Sequence, residues 1–542
     1  MPEQPQSRQL RRLEAIRPLL RDAAPLVMLG SLLFYTNGFL TLTNDEASAI
    51  SGTATNWKTL LAGFRSSAGE ALPPVYALLL RSWLWISHGA FNALRAPSII
   101  FFLLGLWLLS RVARRLGGDE SSNALVWLGA LWPFGFHYGR VEGPHTFAFL
   151  LIAAITWQYF RGMASRRYSD WVIFCVLCLL LLYTSALGWA LLLLLSVDYW
   201  RRIPGINEPQ TGRLDSGHTE KIVVIVSTLA VLVIGFAPRW PPFVRGLRSI
   251  PWPHSFRFLV LDAAYHFYVM FVSSSVAPWF WRLSIPAAIG VVVLLVFLSV
   301  GVRRQERSFL IFSLLLFALM AITSSLQPDR LLLVAPWFFL PLAVALGTIE
   351  KSQWRIPMAF AMAGVAAIGW YGVLNKRYYA EPQFFEPWNS VAQDAADALR
   401  GGSGVISNNE SFFLYLTYTL KPTLPNSSSR FNRLLPTEVR YPLVWDPAEW
   451  ENTGRPKPDA VLWIQGSSPP DELTAMNNAG DWLSDHCGDR ITRFLARDPA
   501  YAWKQRFVPN FSGPSWRIEI RQYTCGQAAP PPAAGVAPNR PK

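Results

Sequence analysis

The sequence predicts a polytopic α-helical membrane protein with a soluble α/β domain after its last membrane helix. Of its 542 residues, 51% are hydrophobic and only 15% are charged, which is too apolar for an ordinary soluble enzyme. Segments 101–109, 148–155 and 289–300 are apolar on every face of a helix, so they leave no polar side for water. After about residue 375 the composition becomes that of a globular protein.

The amino-terminal segment, residues 1–24, is expected to lie in the cytoplasm and to lead into the first span. Its arginines precede an apolar run from Pro25 to Leu42 that is long enough to cross a bilayer. We therefore expect this run to be retained as a helix and not cleaved as a signal peptide. The bias of Lys and Arg toward the cytoplasm then predicts that Asp45 and Glu46 emerge outside.

Basic loops between apolar segments determine the predicted topology of residues 25–374. By the length criterion for a membrane helix there are about eleven spans, which leave the carboxyl terminus outside. Residues 73–88 are short and contain Arg81, so they are expected along the outer interface. Residues 171–199 would make one helix of about 42 Å, so they are interpreted as two short helices.

The predicted soluble domain comprises residues 375–526. Three segments resemble strands: 404–407, 460–465 and 516–523. Residues 388–400 resemble a helix. Cys487 and Cys525 could form a disulfide if this domain lies outside the cytoplasm. The Ala- and Pro-rich tail, residues 527–542, cannot bury enough surface to fold and is predicted to be disordered.

The net charge of +14 does not predict a nucleic-acid-binding protein, because the basic residues are scattered among loops and form no single patch. The sequence contains no Gly-rich phosphate loop, no Cys/His set with zinc spacing and no visible internal repeat. Nucleic acid is therefore not an expected partner, and soluble nucleotide chemistry has no support.

Polar residues gather on the predicted outer side of the spans. They are Asp45, Glu46, Arg95, Arg140, Glu142, His145, Tyr183 and Arg330, together with the segment from Pro238 to Ala277, which contains Arg257. Polar groups near lipid are costly unless they reach water, a partner or a ligand. Their gathering suggests a cavity at that surface.

Each candidate also has a structural alternative. Asp45 and Glu46 project about 100° apart on a helix, so only one easily faces a cavity. We favour Asp45 as a general base, against the alternative that both residues cap the helix after the first span. Arg95 opens a membrane helix, where it could hold a phosphate or only extend to the interface.

The same choice applies to the other charged candidates. Arg140 and Glu142 could pair with each other or line the cavity. The aromatic and basic segment that contains Arg257 could cover a lipid phosphate or form a passive belt at the headgroups. The sequence leaves these alternatives open.

Five short motifs stand in order along the predicted topology. They are Asn44-Asp45-Glu46, Pro73-Pro74-Val75-Tyr76, Arg95-Ala-Pro-Ser98, Arg111 to Gly117, and Pro328-Asp329-Arg330-Leu331-Leu332. This order resembles the membrane glycosyltransferases of the C-type fold, especially protein O-mannosyltransferases and lipid A aminoarabinose transferases. The resemblance covers most of the membrane part and weakens in the soluble domain. Leu72 stands where the family commonly has histidine, and Leu331 where it commonly has tyrosine.

The resemblance implies an inverting glycosyltransferase of the inner (plasma) membrane. Its donor would be a sugar on a polyprenyl phosphate, and its acceptor a hydroxyl of an extracytoplasmic protein, lipid or glycan. The catalytic base would be Asp45, with Glu46 beside it, and Arg95 would hold the lipid phosphate.

Two further features of the site follow from the resemblance. Arg330 and Arg257 would neutralise the leaving phosphate together with Arg95. A divalent cation, Mg²⁺ or Mn²⁺, could be shared by Asp45 and Glu142 if these carboxylates approach in space.

The main alternative is a transporter or flippase of lipid-linked saccharides, which would also need an outer cavity and charges within membrane helices. Such proteins usually have repeated halves, and no repeat is visible in this sequence. A large external domain is also unusual for them. The sequence therefore favours the enzyme over the transporter, and a receptor or scaffold is a weaker third possibility.

Overall fold

The computed structural model of the chain is mostly helical. It describes residues 21–53, 73–165, 167–202, 216–248, 256–301, 307–323, 326–348, 352–375, 378–380, 382–407, 409–420, 459–466, 470–497, 501 and 516–525. Contacts between Cα atoms divide the chain into two compact units. The first unit comprises Met1–Phe39, Lys58–Trp83 and Asn92–Glu381, and the second comprises Leu40–Trp57, Leu84–Phe91 and Pro382–Lys542.

The helices and strands of the described residues are numbered in chain order. In order they are α1 (21–35), α2 (Asn44–Thr53), α3 (Pro74–Ile86), α4 (Ala96–Leu131), α5 (Pro133–Tyr138), α6 (Pro144–Ser165), α7 (Tyr168–Leu182), α8 (Gly188–Arg202), α9 (Ser216–Gly235), α10 (Trp240–Arg248), α11 (Phe256–Val272), α12 (Trp281–Gly301), α13 (Arg307–Ile322), α14 (Ala335–Thr348), α15 (Ser352–Leu374), α16 (Trp388–Arg400), β1 (Gly404–Ser407), α17 (Glu410–Leu420), β2 (Ala460–Gln465), α18 (Pro470–His486), β3 (Gly488–Arg497) and β4 (Trp516–Thr524). Short 3-10 helices lie among them, including Asn37–Phe39, Asp329–Leu333 and Pro382–Phe385.

Several helices of the first unit have the composition of membrane-spanning segments. In the described ranges, Phe91–Leu131, Pro144–Ser165 and Ile356–Leu374 are long and apolar enough to cross a bilayer, and shorter apolar helices accompany them. Large apolar side chains such as Ile234 and Phe360 are exposed on these helices, as expected of residues that face lipid. The count of about eleven spans stays a prediction.

Helix α4 is a helical hairpin. Gly118 has a φ of 80° and a ψ of −170°, a conformation that glycine adopts readily and that interrupts the helix. Leu106 and Gly129 would be about 35 Å apart on a straight helix. They are in contact, because a Cβ added at Gly129 would lie 2.6 Å from a Leu106 methyl group. The chain therefore turns back just after the Arg111 to Gly117 motif, where the sequence predicts the end of a span.

The first described turn of helix α1 is fixed to this hairpin by ionic contacts. Arg114 binds the Asp22 carboxylate at 2.6 Å, and the Ser122 hydroxyl donates to the same carboxylate at 2.8 Å. Because Asp22 is buried, its charge needs these partners. The hairpin itself packs against α6 and α14. The first described turn of α1 is therefore fixed to a well-packed group of helices.

The prediction that residues 171–199 form two helices is confirmed. Helix α7 ends at Leu182 and α8 begins at Gly188. Residues 73–88 contain α3, whose 13 residues amount to about 20 Å of helix, less than a hydrocarbon core. Its placement along the outer interface stays a prediction.

The second unit contains a four-stranded sheet in the order β1-β2-β4-β3. Strands β1 and β2 are parallel, and the β2–β4 and β4–β3 pairs are antiparallel. Trp463, Tyr523 and Leu483 are buried in the core between this sheet and α18. The three predicted strands and the predicted helix 388–400 are confirmed, whereas β3, α17 and α18 were not predicted.

Cys487 and Cys525 form a disulfide, with their Cα atoms 4.3 Å apart. The sequence left this pairing open. The predicted tail, residues 527–542, lies outside the described residues, as does most of the segment 1–24. The domain boundary near residue 375 stays a prediction. The carboxyl-terminal segment of the second compact unit begins at Pro382.

Candidate functional site

Two buried arginines of the first unit bind the carboxyl end of helix α1. Arg95 donates a hydrogen bond to the Asn37 carbonyl oxygen at 3.1 Å, and Arg140 donates to the Thr36 carbonyl oxygen at 2.9 Å. Their side chains are 3% and 2% exposed. Burial of a guanidinium group is expensive in free energy, so two such groups at neighbouring carbonyls indicate a specialised region.

The position of Arg95 follows from the way helix α4 begins. Arg95 immediately precedes Ala96, and Pro97 lies in the first helical turn, where its missing N–H is not needed. The first backbone N–H groups of a helix lack intrahelical partners and carry partial positive charge. Arg95 therefore adds a full positive charge to an end of α4 that already favours anions.

The position of Arg140 depends on a break between α4 and α5. Trp132 is extended, with a φ of −74° and a ψ of 109°, in keeping with the tendency of a proline to disfavour the helical region for the residue before it. Pro133 then starts α5, all of whose residues are buried. The guanidinium carbon of Arg140 lies 4.4 Å from the centre of the Phe136 ring, a cation–π contact.

Glu142 is the acidic member of this region, and its carboxylate is only 3% exposed. It accepts a hydrogen bond from the Tyr76 hydroxyl and another from the Ser98 hydroxyl at 2.9 Å. Both donors are fully buried. Ser98 lies one helical turn after Arg95, so the same turn of α4 carries a cation and a partner of Glu142.

His137 is a further basic residue of α5, next to the segment that carries Arg140. Its ring is completely buried and lies 4.6 Å from the ring of Tyr138, between ring centres. We call Tyr76, Arg95, Ser98, His137, Arg140 and Glu142 the buried cluster.

A second group of charges begins three residues after Glu142. The Nε2 atom of His145 lies 3.1 Å from Oδ2 of Asp329, and the backbone N–H of Arg330 donates to Oδ1 of Asp329 at 2.9 Å. Burial raises the pKa of Asp329, but the neighbouring His145 and Arg330 outweigh this effect and hold the pKa below its usual value. Asp329 is therefore an anion tied to His145.

Tyr183 and Arg257 have other surroundings. The Tyr183 hydroxyl donates to the Gly235 carbonyl at 2.9 Å, and its ring packs on Phe236. Arg257 lies in the first turn of α11 and is exposed. Their predicted roles at a substrate stay predictions.

Asp45 and Glu46 belong to the second unit, where they occupy the first turn of α2. The Thr43 backbone N–H donates to the Glu46 carboxylate at 2.8 Å, and the Glu46 N–H donates to the Thr43 hydroxyl at 3.3 Å. This reciprocal pair is a capping box. Glu46 is fully buried, whereas Asp45 is exposed. The capping alternative thus describes the geometry of Glu46.

The buried cluster contains residues to which the sequence assigned no role. Tyr76 and Ser98 are the last residues of the Pro73–Tyr76 and Arg95–Ser98 motifs, and both donate to Glu142. Their place at the ends of these motifs was the available signal. His137 carried no signal beyond its position in an apolar segment, and Asp329 was part of the late motif without an assigned partner.

An apolar groove lies in the first unit among α4, α12, α14 and α15. Its cavity volume is about 250 Å³, and its lining includes Trp127, Leu128, Phe339, Leu342 and Met362. Such a lining offers a hydrocarbon chain contact area and offers a polar ligand no hydrogen bonds. The predicted cavity at the outer surface stays a prediction.

The described residues do not fit a divalent cation. Among them, no group of three or more His, Cys, Asp or Glu side chains is arranged to hold a metal ion. Glu142, which was considered with Asp45 as a ligand of Mg²⁺ or Mn²⁺, accepts hydrogen bonds from two hydroxyl groups.

No protein-family model and no curated protein matches the chain. Among solved structures, ArnT from Cupriavidus metallidurans in the apo state is similar, with 14% identity and a TM-score of 0.49 over 94% of this chain and 99% of that chain. The same protein bound to undecaprenyl phosphate gives 13% identity and a TM-score of 0.48 over the same shares. The Archaeoglobus fulgidus oligosaccharyltransferase in complex with Zn and sulfate has 12% identity and a TM-score of 0.43, over 92% of this chain and 88% of that chain.

ArnT is a lipid A aminoarabinose transferase, and both neighbours are glycosyltransferases of the C-type fold. All three TM-scores are below 0.5, so this likeness carries no argument for the present chain, and the site residues rest on contacts within the chain itself.

Proposed function

We propose that the chain is an inverting membrane glycosyltransferase that moves a sugar from a polyprenyl-phosphate donor to an extracytoplasmic acceptor hydroxyl. The observation that carries the proposal is the pair of buried arginines, Arg95 and Arg140, at the ends of apolar helices. Charged groups are rare in membrane helices and usually serve a ligand or an ion pathway.

A lipid phosphate is the ligand that suits this chemistry. Guanidinium groups bind phosphate oxygens through charge-assisted hydrogen bonds, and the amino end of a helix favours anions. The hydrocarbon tail of such a ligand would find apolar surface on the first unit, including the groove among α4, α12, α14 and α15. Glu142, fixed by Tyr76 and Ser98, would keep the region rigid and accept hydrogen bonds from sugar hydroxyls.

The proposed step is a single displacement at the anomeric carbon. The acceptor oxygen forms a bond to that carbon as the bond to the phosphate oxygen breaks, and the bonding electrons leave with the phosphate. Asp45 takes the proton of the attacking hydroxyl. Arg95, and Arg330 in the same role, would offset the negative charge that grows on the leaving phosphate. Glu46 is engaged in the capping box, so we assign the base to Asp45 alone.

The orientation is part of the proposal. With the first span leaving the cytoplasm, the second unit would lie outside, in the periplasm or extracellular space of an inner (plasma) membrane protein. The Cys487–Cys525 disulfide supports this orientation, because structural disulfides persist in oxidising compartments. The acceptor class, whether protein, lipid or glycan, is left to experiment.

The test is a transfer assay with purified protein in lipid nanodiscs. The donors are undecaprenyl phosphates that carry radiolabelled mannose, glucose or aminoarabinose, and the acceptors are a membrane-lipid extract, a serine-rich peptide and a glycan fraction. We expect label to move from one donor to one acceptor class. A transporter would instead move donor across sealed vesicles without forming product, and that result would overturn the proposal.

A further inference from the structure

The chain that leads into the Asp45 helix is bound by residues more than three hundred positions later, all within the second unit. The Thr41 N–H donates to the Phe384 carbonyl at 2.9 Å, and the Thr41 hydroxyl donates to the Glu386 carbonyl at 2.9 Å. Both acceptors lie at the beginning of the carboxyl-terminal segment. Thr41 is thus held through its backbone and through its side chain.

Helix α17 provides the next two contacts. The Leu42 N–H donates to the Tyr415 hydroxyl at 3.0 Å, and the Ser411 N–H donates to the Asn44 side-chain oxygen at 3.4 Å. Leu42, Tyr415 and Ser411 are all buried. A buried backbone N–H that loses its partner destabilises the fold, so the hydrogen bond to Tyr415 stabilises the position of Leu42.

These contacts and the capping box together fix the start of α2. Thr41, Leu42 and Asn44 are bound by later residues, and Thr43 is bound by Glu46. On the helix itself, Ala47 and Ile50 are fully buried, and α2 packs against α17. Asp45 is therefore an exposed residue whose backbone is held by hydrogen bonds on neighbouring residues.

The support for Thr41 extends to the sheet. The Glu386 carboxylate accepts from the Arg517 guanidinium at 2.6 Å and from the Trp388 indole N–H at 2.7 Å. Arg517 belongs to β4 and Trp388 opens α16, so the Glu386 backbone is fixed to the folded core of the unit. The sequence had no signal for this arrangement.

We propose that the carboxyl-terminal part of the second unit, which begins at Pro382, positions the catalytic base, with Tyr415 acting on Asp45 through the Leu42 N–H. This inference rests on the proposed function. It assigns this part of the unit a role that requires no contact with the donor. The physical reason is that a reacting group displaced by about 1 Å can lose up to a hundredfold in rate.

The test compares two conservative variants on the same helix, Tyr415→Phe and Tyr418→Phe. Both tyrosine rings pack against Phe91, at 5.5 and 5.0 Å between ring centres. The Tyr418 hydroxyl donates to the Gly89 carbonyl at 2.7 Å, whereas the Tyr415 hydroxyl accepts from the Leu42 N–H, just before Asp45. Each variant removes one hydroxyl and keeps the ring, so the pair separates positioning of Asp45 from packing of α17.

Steady-state kinetics in nanodiscs provide the first measurement. We expect Tyr415→Phe to lower kcat about tenfold with KM for the polyprenyl-phosphate sugar unchanged, because misplacement of the base affects the chemical step. Tyr418→Phe is expected to keep kcat within about twofold of the wild type. Equal losses in both variants, or a loss that appears only in KM, would overturn the inference.

Hydrogen–deuterium exchange provides a second measurement that does not depend on activity. Tyr415→Phe should speed exchange in the peptide that contains Leu42 and Asp45, and Tyr418→Phe should not. Unchanged exchange in Tyr415→Phe would overturn the inference. If the wild type transfers no sugar while exchange still rises in Tyr415→Phe, the proposed function fails and the anchoring of α2 is upheld.

Discussion

Three candidate charges of the first unit and one of the second unit are presented in opposite ways. In the first unit Arg95, Arg140 and Glu142 are almost completely buried and bound to neighbouring groups. In the second unit Asp45 is exposed, and hydrogen bonds fix the backbone around it. The difference teaches that the two sets should respond differently to mutation. Removal of a buried charge should affect stability as well as activity, whereas removal of Asp45 should affect chemistry alone.

The largest expected effect is on the rate of Asp45→Asn. Loss of a general base removes a factor of about 10² to 10⁴ in kcat. Because Asp45 is exposed, the thermal midpoint and the affinity for undecaprenyl phosphate should stay at wild-type values. The matched control is Asp485→Asn, which removes another exposed carboxylate of the second unit. Full activity of Asp45→Asn would reject the assignment of the base.

Glu142→Ala should show the opposite behaviour, with a large loss of stability. The substitution leaves the buried hydroxyl groups of Tyr76 and Ser98 without their acceptor, at a cost of about 2 to 4 kcal/mol. We expect a lower thermal midpoint in detergent. The control is Glu120→Gln, whose contact with Arg21 is exposed and worth about 1 kcal/mol or less. Equal midpoints for the two variants would contradict the role of Glu142 in the cluster.

Arg95→Ala should weaken lipid-phosphate binding by about tenfold to a hundredfold, because a charge-assisted hydrogen bond contributes about 1.5 to 3 kcal/mol. Binding of undecaprenyl phosphate in nanodiscs measures this effect. Arg95→Lys should recover part of the affinity, since it restores the charge without the planar geometry. The exposed Arg282→Ala serves as the control. Unchanged affinity in Arg95→Ala would remove Arg95 from the phosphate site.

The smallest expected effect concerns the pH dependence of Asp329→Asn. The pKa of Asp329 is held below its usual value, so its ion pair stabilises the fold above pH 4 or so and loses that contribution as pH falls through the lowered pKa. The side chain is one-third exposed, which limits the contribution to about 1 kcal/mol or less. The difference in thermal midpoint between wild type and variant should therefore shrink on acidification, and a growing difference would contradict this sign.

Local features of the fold were accessible from sequence. The break in residues 171–199 followed from the polar residues at 183–185, and the strands at 404–407 and 460–465 followed from their composition. Glu46 was considered as a capping residue, and the capping box is present. Each of these predictions depends on residues that are close together in the chain.

Features that depend on distant contacts were not accessible. Leu42 and Tyr415 are 373 positions apart, and nothing in either segment indicates that they meet. Residues 40–57 and 84–91 form one compact unit with the residues from Pro382 onward. This grouping also depends on contacts between distant parts of the chain. Within the buried cluster, the charges could be listed from sequence, but the hydroxyl partners of Glu142 could not, because Tyr76 and Ser98 lie in separate helices.

The most direct test of the central claim is the anomeric configuration of the transferred sugar, determined by NMR on the isolated product. A single displacement with Asp45 as the base inverts the configuration of the donor. We predict complete inversion with the wild-type protein. Retention would require two displacements through a covalent intermediate, and that result would contradict the proposed mechanism.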